Sequence, residues 1–243
     1  YAETQQGGLH RIDRITGEQV YIQPQAGKEE PHERSNWDSP ILVSPHDPAR
    51  IYVASYRVWR SDDRGDSWKT ISPDLTRDQE RMALPIMGKQ QSWDNAWDIY
   101  AMSNYSTITS LGESPVQDGI LYAGTDDGLI HVTKDGGETW KKIEISSIKG
   151  VPAMAFVNDI RADLFDANTV YAFIQSGDEW KYGERKEFLF KTLKGNEQTR
   201  ISILGYASEL VEYRKNFDAK IYFQTTSMGL LVSAVNGHRL YTN

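Results

Sequence analysis

Cysteine is absent from this 243-residue chain, which excludes disulfides, thiolate metal sites and cysteine nucleophiles. A basic surface is missing as well, because 34 acidic residues outnumber 27 basic residues and the formal net charge is -7. Proteins that bind nucleic acid need basic side chains for the phosphates, so we expect no nucleic-acid partner. No apolar run approaches the roughly 18 residues of a membrane span, and we expect no such span.

Aromatic residues are plentiful, and their positions reveal an internal repeat. The chain has 7 Trp and 13 Tyr, residue types that favour packed strands. Short apolar segments with a tyrosine in second place recur at Tyr52, Tyr122, Tyr171 and Tyr222. The intervals are close to the roughly 40–50 residues of a four-stranded propeller blade, and one longer interval indicates an insertion.

A second repeat follows the pattern S/T-x-D-x-G-x-S/T-W and occurs at 61–68 and 133–140, hereafter the box segments. The pattern predicts a hairpin turn in which the Asp accepts backbone hydrogen bonds and the Gly adopts a positive φ. The Trp opens the next strand and is expected to pack between neighbouring sheets. We therefore assign structural rather than catalytic roles to Asp63, Gly65, Trp68, Asp135, Gly137 and Trp140.

These repeats predict an all-β fold, a β-propeller of four-stranded antiparallel blades with Asp-box hairpins, over residues 1–243 as a single segment. Alternation and turn signals place a partial blade at 1–23 and full blades at about 38–72, 106–145, 157–203 and 207–243. A ring that stopped there would expose unpaired sheet edges. We therefore expect an incomplete fragment of a larger propeller, with the remaining blades of its parent chain among its partners.

The box segments resemble the BNR or Asp-box repeats of sialidases, xyloglucanase-type glycosidases and sortilin-type receptors. A closer resemblance, to large bacterial sortilin-like proteins commonly labelled glycosyl hydrolase, is carried by residues 36–40, 44–48, 60–68, 71–76 and 122–130. This resemblance implies a secreted or periplasmic protein. It also implies that the activity, if the chain is an enzyme, is that of a glycosidase.

Loop lengths divide the expected propeller into two faces. The box segments and the Ser-Pro-His-Asp-Pro turn at 44–48 belong to a short-loop face, where His46 is interpreted as a turn residue. The opposite, long-loop face collects the long segments 24–37, 73–105, 146–156 and 175–187. Loops of this length usually bind something or are disordered, so the long-loop face is the expected binding face.

Candidate ligand-binding residues on that face fall into three groups. Trp93 and Trp97 are each followed by an acid, Asp94 and Asp98, and such pairs can stack on a sugar ring and bind its hydroxyls, or simply anchor the loop. The same alternatives hold for Trp180 and Tyr182. Arg57, Asp126 and Asp127 are expected in short turns near the central channel, although Asp-Asp-Gly equally predicts a type I′ hairpin turn. No metal site and no cofactor are predicted.

Three functions remain open from the sequence. The favoured one is an exported propeller that binds a carbohydrate, or a protein or peptide, through its long-loop face. The alternatives are a glycoside hydrolase of the xyloglucanase or sialidase type and a structural subunit of an envelope complex. Glycoside hydrolysis needs two carboxylates about 5–10 Å apart, and sialidases need converging arginines; the sequence identifies neither set.

Overall fold

The computed structural model describes residues 1–86, 89–90, 104–148 and 151–175, and beyond these the backbone of five strands. Regular structure in this part of the chain is almost entirely β, with three single turns of 3₁₀ helix at Gln5–Gly7, Arg81–Ala83 and Ile145–Ser147. None of the described helices is long and apolar enough to cross a membrane.

Two sheets are four-stranded antiparallel meanders whose strands follow chain order. Sheet II contains β4 (Ile41–Val43), β5 (Ile51–Ala54), β6 (Val58–Ser61) and β7 (Lys69–Thr70). Sheet III contains β10 (Ile108–Glu113), β11 (Leu121–Thr125), β12 (Leu129–Thr133) and β13 (Lys141–Glu144). Between them, β8 (Pro85–Ile86) and β9 (Lys89–Gln90) form a small hairpin. Sheets II and III lie within the predicted blades 38–72 and 106–145.

Two further sheets of the described chain, I and V, are three-stranded and antiparallel. Sheet I contains β1 (Ala2–Thr4), β2 (Gly8–Ile12) and β3 (Gln19–Tyr21), within the predicted partial blade. Sheet V contains β18 (Val211–Arg214), β19 (Lys220–Gln224) and β20 (Leu230–Val232). The bounds of the predicted blades otherwise stay predictions.

Sheet IV departs from the meander order. It contains β14 (Phe156–Ala162), β15 (Thr169–Gln175), β16 (Glu187–Lys194) and β17 (Glu197–Leu204), in the order β14-β15-β17-β16. Strands β16 and β17 pair antiparallel along their whole length, across a two-residue Gly-Asn connection that favours a tight hairpin. The hairpin joins the sheet as a unit, and its second strand meets β15 in parallel. One parallel pair thus replaces an antiparallel pair expected from the sequence.

Neighbouring sheets pack face to face, and β5 shows how the sequence allows this. Ile51 and Val53 belong to the apolar cluster between sheets I and II, whereas Tyr52 and Ala54 belong to the cluster between sheets II and III. Side chains alternate between the two faces of a strand, and all four are buried because sheet II is covered on both sides. A third cluster fills the space between sheets III and IV. Successive four-stranded sheets stacked in this way form the blades of a β-propeller.

Two of the repeated tyrosines, Tyr52 and Tyr122, join their sheets to the following ones. The Tyr52 hydroxyl donates to Glu113 Oε1 of sheet III at 3.2 Å, and the Tyr122 hydroxyl donates to the Ala167 carbonyl beside sheet IV at 3.1 Å. Both rings are buried, and a buried aromatic side chain contributes roughly 1.5–3 kcal/mol relative to exposure. These two tyrosines therefore mark the contacts between sheets II and III and between sheets III and IV.

The tryptophans of the box segments join each sheet to the preceding one. Trp68 Nε1 donates to the Ile22 carbonyl at 2.8 Å, and Trp140 Nε1 donates to the Ile71 carbonyl at the same distance. Ile22 and Ile71 each follow the last strand of the preceding sheet, so the two contacts are equivalent. Gly137, with φ of 104°, is pressed against the same neighbour, because a Cβ there would lie 2.5 Å from the Ile71 carbonyl oxygen.

The Asp of each box segment closes its own turn. Asp63 Oδ1 accepts from the Ser61 hydroxyl at 2.7 Å and from the Ser67 amide at 2.8 Å, and Oδ2 accepts from the Ser67 hydroxyl at 2.6 Å. Hydrogen bonds from the Ser67 hydroxyl and amide lower the pKa of Asp63 to about 2. Asp135 makes the equivalent contacts with Thr133 and Thr139, which also lower its pKa. Both carboxylates therefore stabilise their own turns.

Candidate binding face

The long-loop face is built from the connections between sheets and from the turns between second and third strands. Segments 24–37 and 73–78 are joined there by ion pairs from Arg34 to Asp74 at 3.0 Å and to Asp78 at 2.9 Å. Arg34 Nε also donates to the carbonyl of Ser106, just before sheet III, at 2.8 Å. Two loops distant in sequence are therefore held against each other and against the next sheet.

Arg57 occupies the turn between β5 and β6, under segment 24–37. Its guanidinium donates to Glu30 Oε2 at 2.7 Å and to Glu33 Oε1 at 2.6 Å, and it lies 4.6 Å from the Trp59 ring centroid. The arginine side chain is 10% exposed and that of Glu33 is 11% exposed. The Ser55 hydroxyl donates to the other Glu33 oxygen. The guanidinium is engaged inside the protein and positions the loop above it, and the role of Arg57 as a ligand contact stays a prediction.

Asp126 is buried in the turn between β11 and β12. Its Oδ1 accepts from the Thr107 amide at 2.8 Å, and its Oδ2 accepts from the Thr107 hydroxyl at 2.7 Å and from Asn36 Nδ2 at 3.4 Å. Burial raises its pKa to about 6, against the lowering effect of the Thr107 hydrogen bonds. The carboxylate therefore joins segment 24–37 to sheet III while remaining able to take up a proton near neutral pH.

Asp127 is fully buried and fixes the next long segment. Its Oδ1 accepts from the Thr125 hydroxyl at 2.6 Å, its Oδ2 from the Arg77 amide at 2.7 Å, and its carbonyl from Arg77 Nε at 2.8 Å. The type I′ turn expected here is wrong, since only Gly128 has a positive φ, of 85°. A three-residue connection with glycine in the left-handed position replaces it, which leaves both Asp side chains free to bind the flanking loops.

The titration of Asp126 has a measurable consequence. The folded protein takes up this proton at a higher pH than the unfolded chain does, since the pKa is raised by burial from 3.8 to about 6. The free energy of unfolding of the parent, relative to Asp126→Asn, is therefore expected to rise by about 2–3 kcal/mol as pH falls from 7 to 4. Urea denaturation of both proteins across this range measures the difference, and parallel curves would contradict the expectation.

A cleft opens between sheets I and II beside this network. Polar groups in its lining include Glu3, Gln23, Glu33, Ser35, Ser55 and the indole of Trp59. Trp59 Nε1 is buried without a hydrogen-bond partner in the described part of the chain. The cleft has a volume of only about 20 Å³. That is room for one or two waters, so the cleft is too narrow for a sugar ring.

The sequence-predicted site residues divide into two sets. Arg57, Asp126 and Asp127 lie on the long-loop face, and segment 24–37 brings the first two into one network of contacts. The remaining candidates lie outside the described residues: Trp93, Asp94, Trp97, Asp98, Trp180 and Tyr182. Their role as ligand contacts stays a prediction.

One surface residue of this face was missed by the sequence reasoning. Trp37, at the end of segment 24–37, is 39% exposed, although tryptophan is usually well covered. Its main chain is fixed, because the Gln6 amide donates to its carbonyl and the neighbouring Asn36 side chain is tied to Thr107. A tryptophan in a long loop was the available signal. The short-loop face also exposes apolar side chains, including Ile15, Val116, Leu164 and Phe165.

Comparison with known proteins returns structures but no families. No family model matches the chain, and no curated protein matches it. A GH74 enzyme from Niastella koreensis is similar at 12% identity and a TM-score of 0.48, over 94% of this chain and 32% of the enzyme. An ancestral GH74 enzyme is similar at 12% identity and a TM-score of 0.39, over 85% of this chain and 26% of its own. YCF48 bound to D1 peptide is similar at 12% identity and a TM-score of 0.34, over 88% and 66%. The chain spans about a third or less of the length of the two GH74 enzymes.

Proposed function

We propose that this chain is part of an exported Asp-box β-propeller that binds an extended partner, a polypeptide or a glycan chain, across its long-loop face. The observation that carries the proposal is the Arg34 contact set, which holds segments 24–37 and 73–78 against sheet III. Loops that are ordered before binding lose less conformational entropy on binding. The exported location follows only from the resemblance of the repeats to exported bacterial proteins.

The dimensions and the surface of this face support an extended partner. The cleft beside sheet I admits water only, so a ligand would lie over the loops rather than inside that cleft. Trp37 offers exposed aromatic surface on a fixed main chain, a residue type enriched among binding hot spots. Predicted contacts from Trp93, Trp97 and Trp180 would add to the same face.

Glycoside hydrolysis is the second candidate, and Asp126 is the observation in its favour. A carboxyl group with a pKa of about 6 suits a general acid. Both Asp126 oxygens, however, accept hydrogen bonds from the protein, and its neighbour Asp127 is fully buried. Binding without catalysis is therefore the favoured function. Release of reducing sugar from xyloglucan, lost in Asp126→Asn, would reverse this preference.

Paired variants on the two faces test the proposal. The probes are a glycan array and a displayed peptide library, screened first with the parent protein. We expect Trp37→Ala to weaken binding of the selected ligand by about 30-fold, as loss of a hot-spot aromatic does, with similar losses for Trp93→Ala and Trp97→Ala.

Phe165→Ala is the matched control, because Phe165 is 71% exposed in the turn between β14 and β15 on the short-loop face. It should leave affinity unchanged, and circular dichroism should show that all variants fold. Loss of binding in Phe165→Ala together with normal binding in the Trp variants would place the site on the opposite face.

A further inference from the structure

Three potential metal ligands meet on the short-loop face, where sheet II adjoins sheet III. His46 lies in the turn between β4 and β5, Glu113 ends β10, and Asp118 lies in the turn between β10 and β11. One ligand atom from each residue lies within 4.8 Å of those of the other two. Ligands of a tetrahedral zinc ion lie about 3.5 Å apart, so the three ligand atoms must move slightly closer to one another to bind one ion.

Glu113 is the buried member of this cluster, at 6% exposure. Its Oε1 accepts from the Tyr52 hydroxyl at 3.2 Å, whereas its Oε2 is buried with no hydrogen-bond partner among the described residues. An unpaired buried carboxylate oxygen is costly, and buried charges in native proteins are normally paired or bound to metal. The Ser44 side chain interacts with this carboxylate, but a cation would supply the stronger partner for the buried oxygen.

His46 is already oriented for coordination. Its Nε2 lies 2.7 Å from the Ser114 carbonyl oxygen, a contact in which the ring nitrogen carries the hydrogen and donates. The Nδ1 atom then holds the lone pair. Histidine ligands of metals commonly donate their second ring N–H to a backbone carbonyl in this way, which fixes both tautomer and ring orientation.

Asp118 is the weakest of the three ligands. Its Oδ1 accepts from Arg50 at 2.7 Å, and the same guanidinium also contacts Asp62 at 3.1 Å, so its positive charge is shared between two carboxylates. The second oxygen of Asp118 is not held by Arg50. The binding strength of the cluster therefore rests mainly on His46 and Glu113.

We propose that His46, Glu113 and Asp118 bind a zinc-class divalent cation that joins sheet II to sheet III on the short-loop face. One imidazole nitrogen and two carboxylate oxygens form a mixed set that suits zinc and its first-row neighbours better than magnesium or calcium, which prefer all-oxygen sites. Two exposed members give the ion a route from solvent and leave a fourth position for water. The ion would strengthen the contact that Tyr52 already makes with Glu113.

Zinc chloride added to the metal-stripped 243-residue chain tests the proposal by its melting temperature. A saturated site should raise Tm by about 5 °C at roughly 100-fold excess over the dissociation constant. Isothermal titration calorimetry should show one bound zinc ion in the parent and none in His46→Ala or Glu113→Gln. The rise in Tm should disappear in the same two variants. Glu113→Gln retains an acceptor for the Tyr52 hydroxyl, so it tests the metal site while keeping the hydrogen bond between sheets II and III.

His32→Ala is the matched control, since it removes an exposed histidine of segment 24–37 on the other face. It should keep both the Tm rise and the calorimetric ion. No rise in the parent, or equal rises in the parent and Glu113→Gln, would overturn the proposal. A rise produced by calcium or magnesium but not by zinc would overturn the assigned metal class.

Discussion

Arg57→Ala is expected to lower the free energy of unfolding by about 3 kcal/mol, because it leaves the Glu33 carboxylate, only 11% exposed, without its cation. The change also removes the guanidinium stacked 4.6 Å from the Trp59 ring centroid. Urea denaturation followed by tryptophan fluorescence measures the loss. Segment 24–37 should become more susceptible to proteolysis, because Arg57 also contacts Glu30.

Two comparisons separate this effect from the simple loss of a surface charge. Arg161→Ala breaks an ion pair of similar length, 2.8 Å, but with the arginine 74% exposed, and should change stability by less than about 1 kcal/mol. The double variant Arg57→Met/Glu33→Leu should be more stable than Arg57→Ala, because no unpaired charge remains buried. Equal losses in Arg57→Ala and Arg161→Ala would show that burial of the pair is unimportant.

Trp140→Ala is expected to lower the free energy of unfolding by about 3 kcal/mol, the lower end of the usual range for a buried tryptophan, because this side chain is only partly buried. The loss combines apolar contact with the cluster between sheets II and III and the hydrogen bond to Ile71. Denaturant midpoints of the variant and the parent measure it.

Conservative and surface variants resolve these contributions. Trp140→Phe keeps much of the apolar contact but loses the hydrogen bond, so it should cost about 1 kcal/mol. Trp68→Ala should behave like Trp140→Ala, since its Nε1 bonds the equivalent Ile22 carbonyl. Trp37→Ala, at an exposed site, should leave stability nearly unchanged. A melting temperature of Trp140→Ala equal to that of the parent would show that Trp140 does not stabilise the contact between sheets II and III.

Local contacts explain which features were predictable from the sequence. In the box segments, Ser61 and Ser67 lie within four residues of Asp63, so the hydrogen bonds of the turn are encoded in one short stretch. The short apolar segments at 51–55 and 121–125 are equally local, and they predicted β5 and β11 as strands. The exception is the turn at Asp126 and Asp127, where Asp-Asp-Gly permits two hairpin geometries and contacts with Thr107 and Arg77 accompany the one adopted.

Short motifs and their spacing are sufficient to predict the all-β repeat, the packing of the box tryptophans between blades and the division of the loops between two faces. The contacts of the polar residues arise only in the folded chain: Arg57 contacts Glu30 and Glu33, and His46 lies close to Glu113 of another sheet. Such partners lie tens of residues apart, and no periodicity links them. Their pairing depends on how far each sheet is rotated against the next, which is set by the packed apolar side chains between the sheets rather than by any short motif.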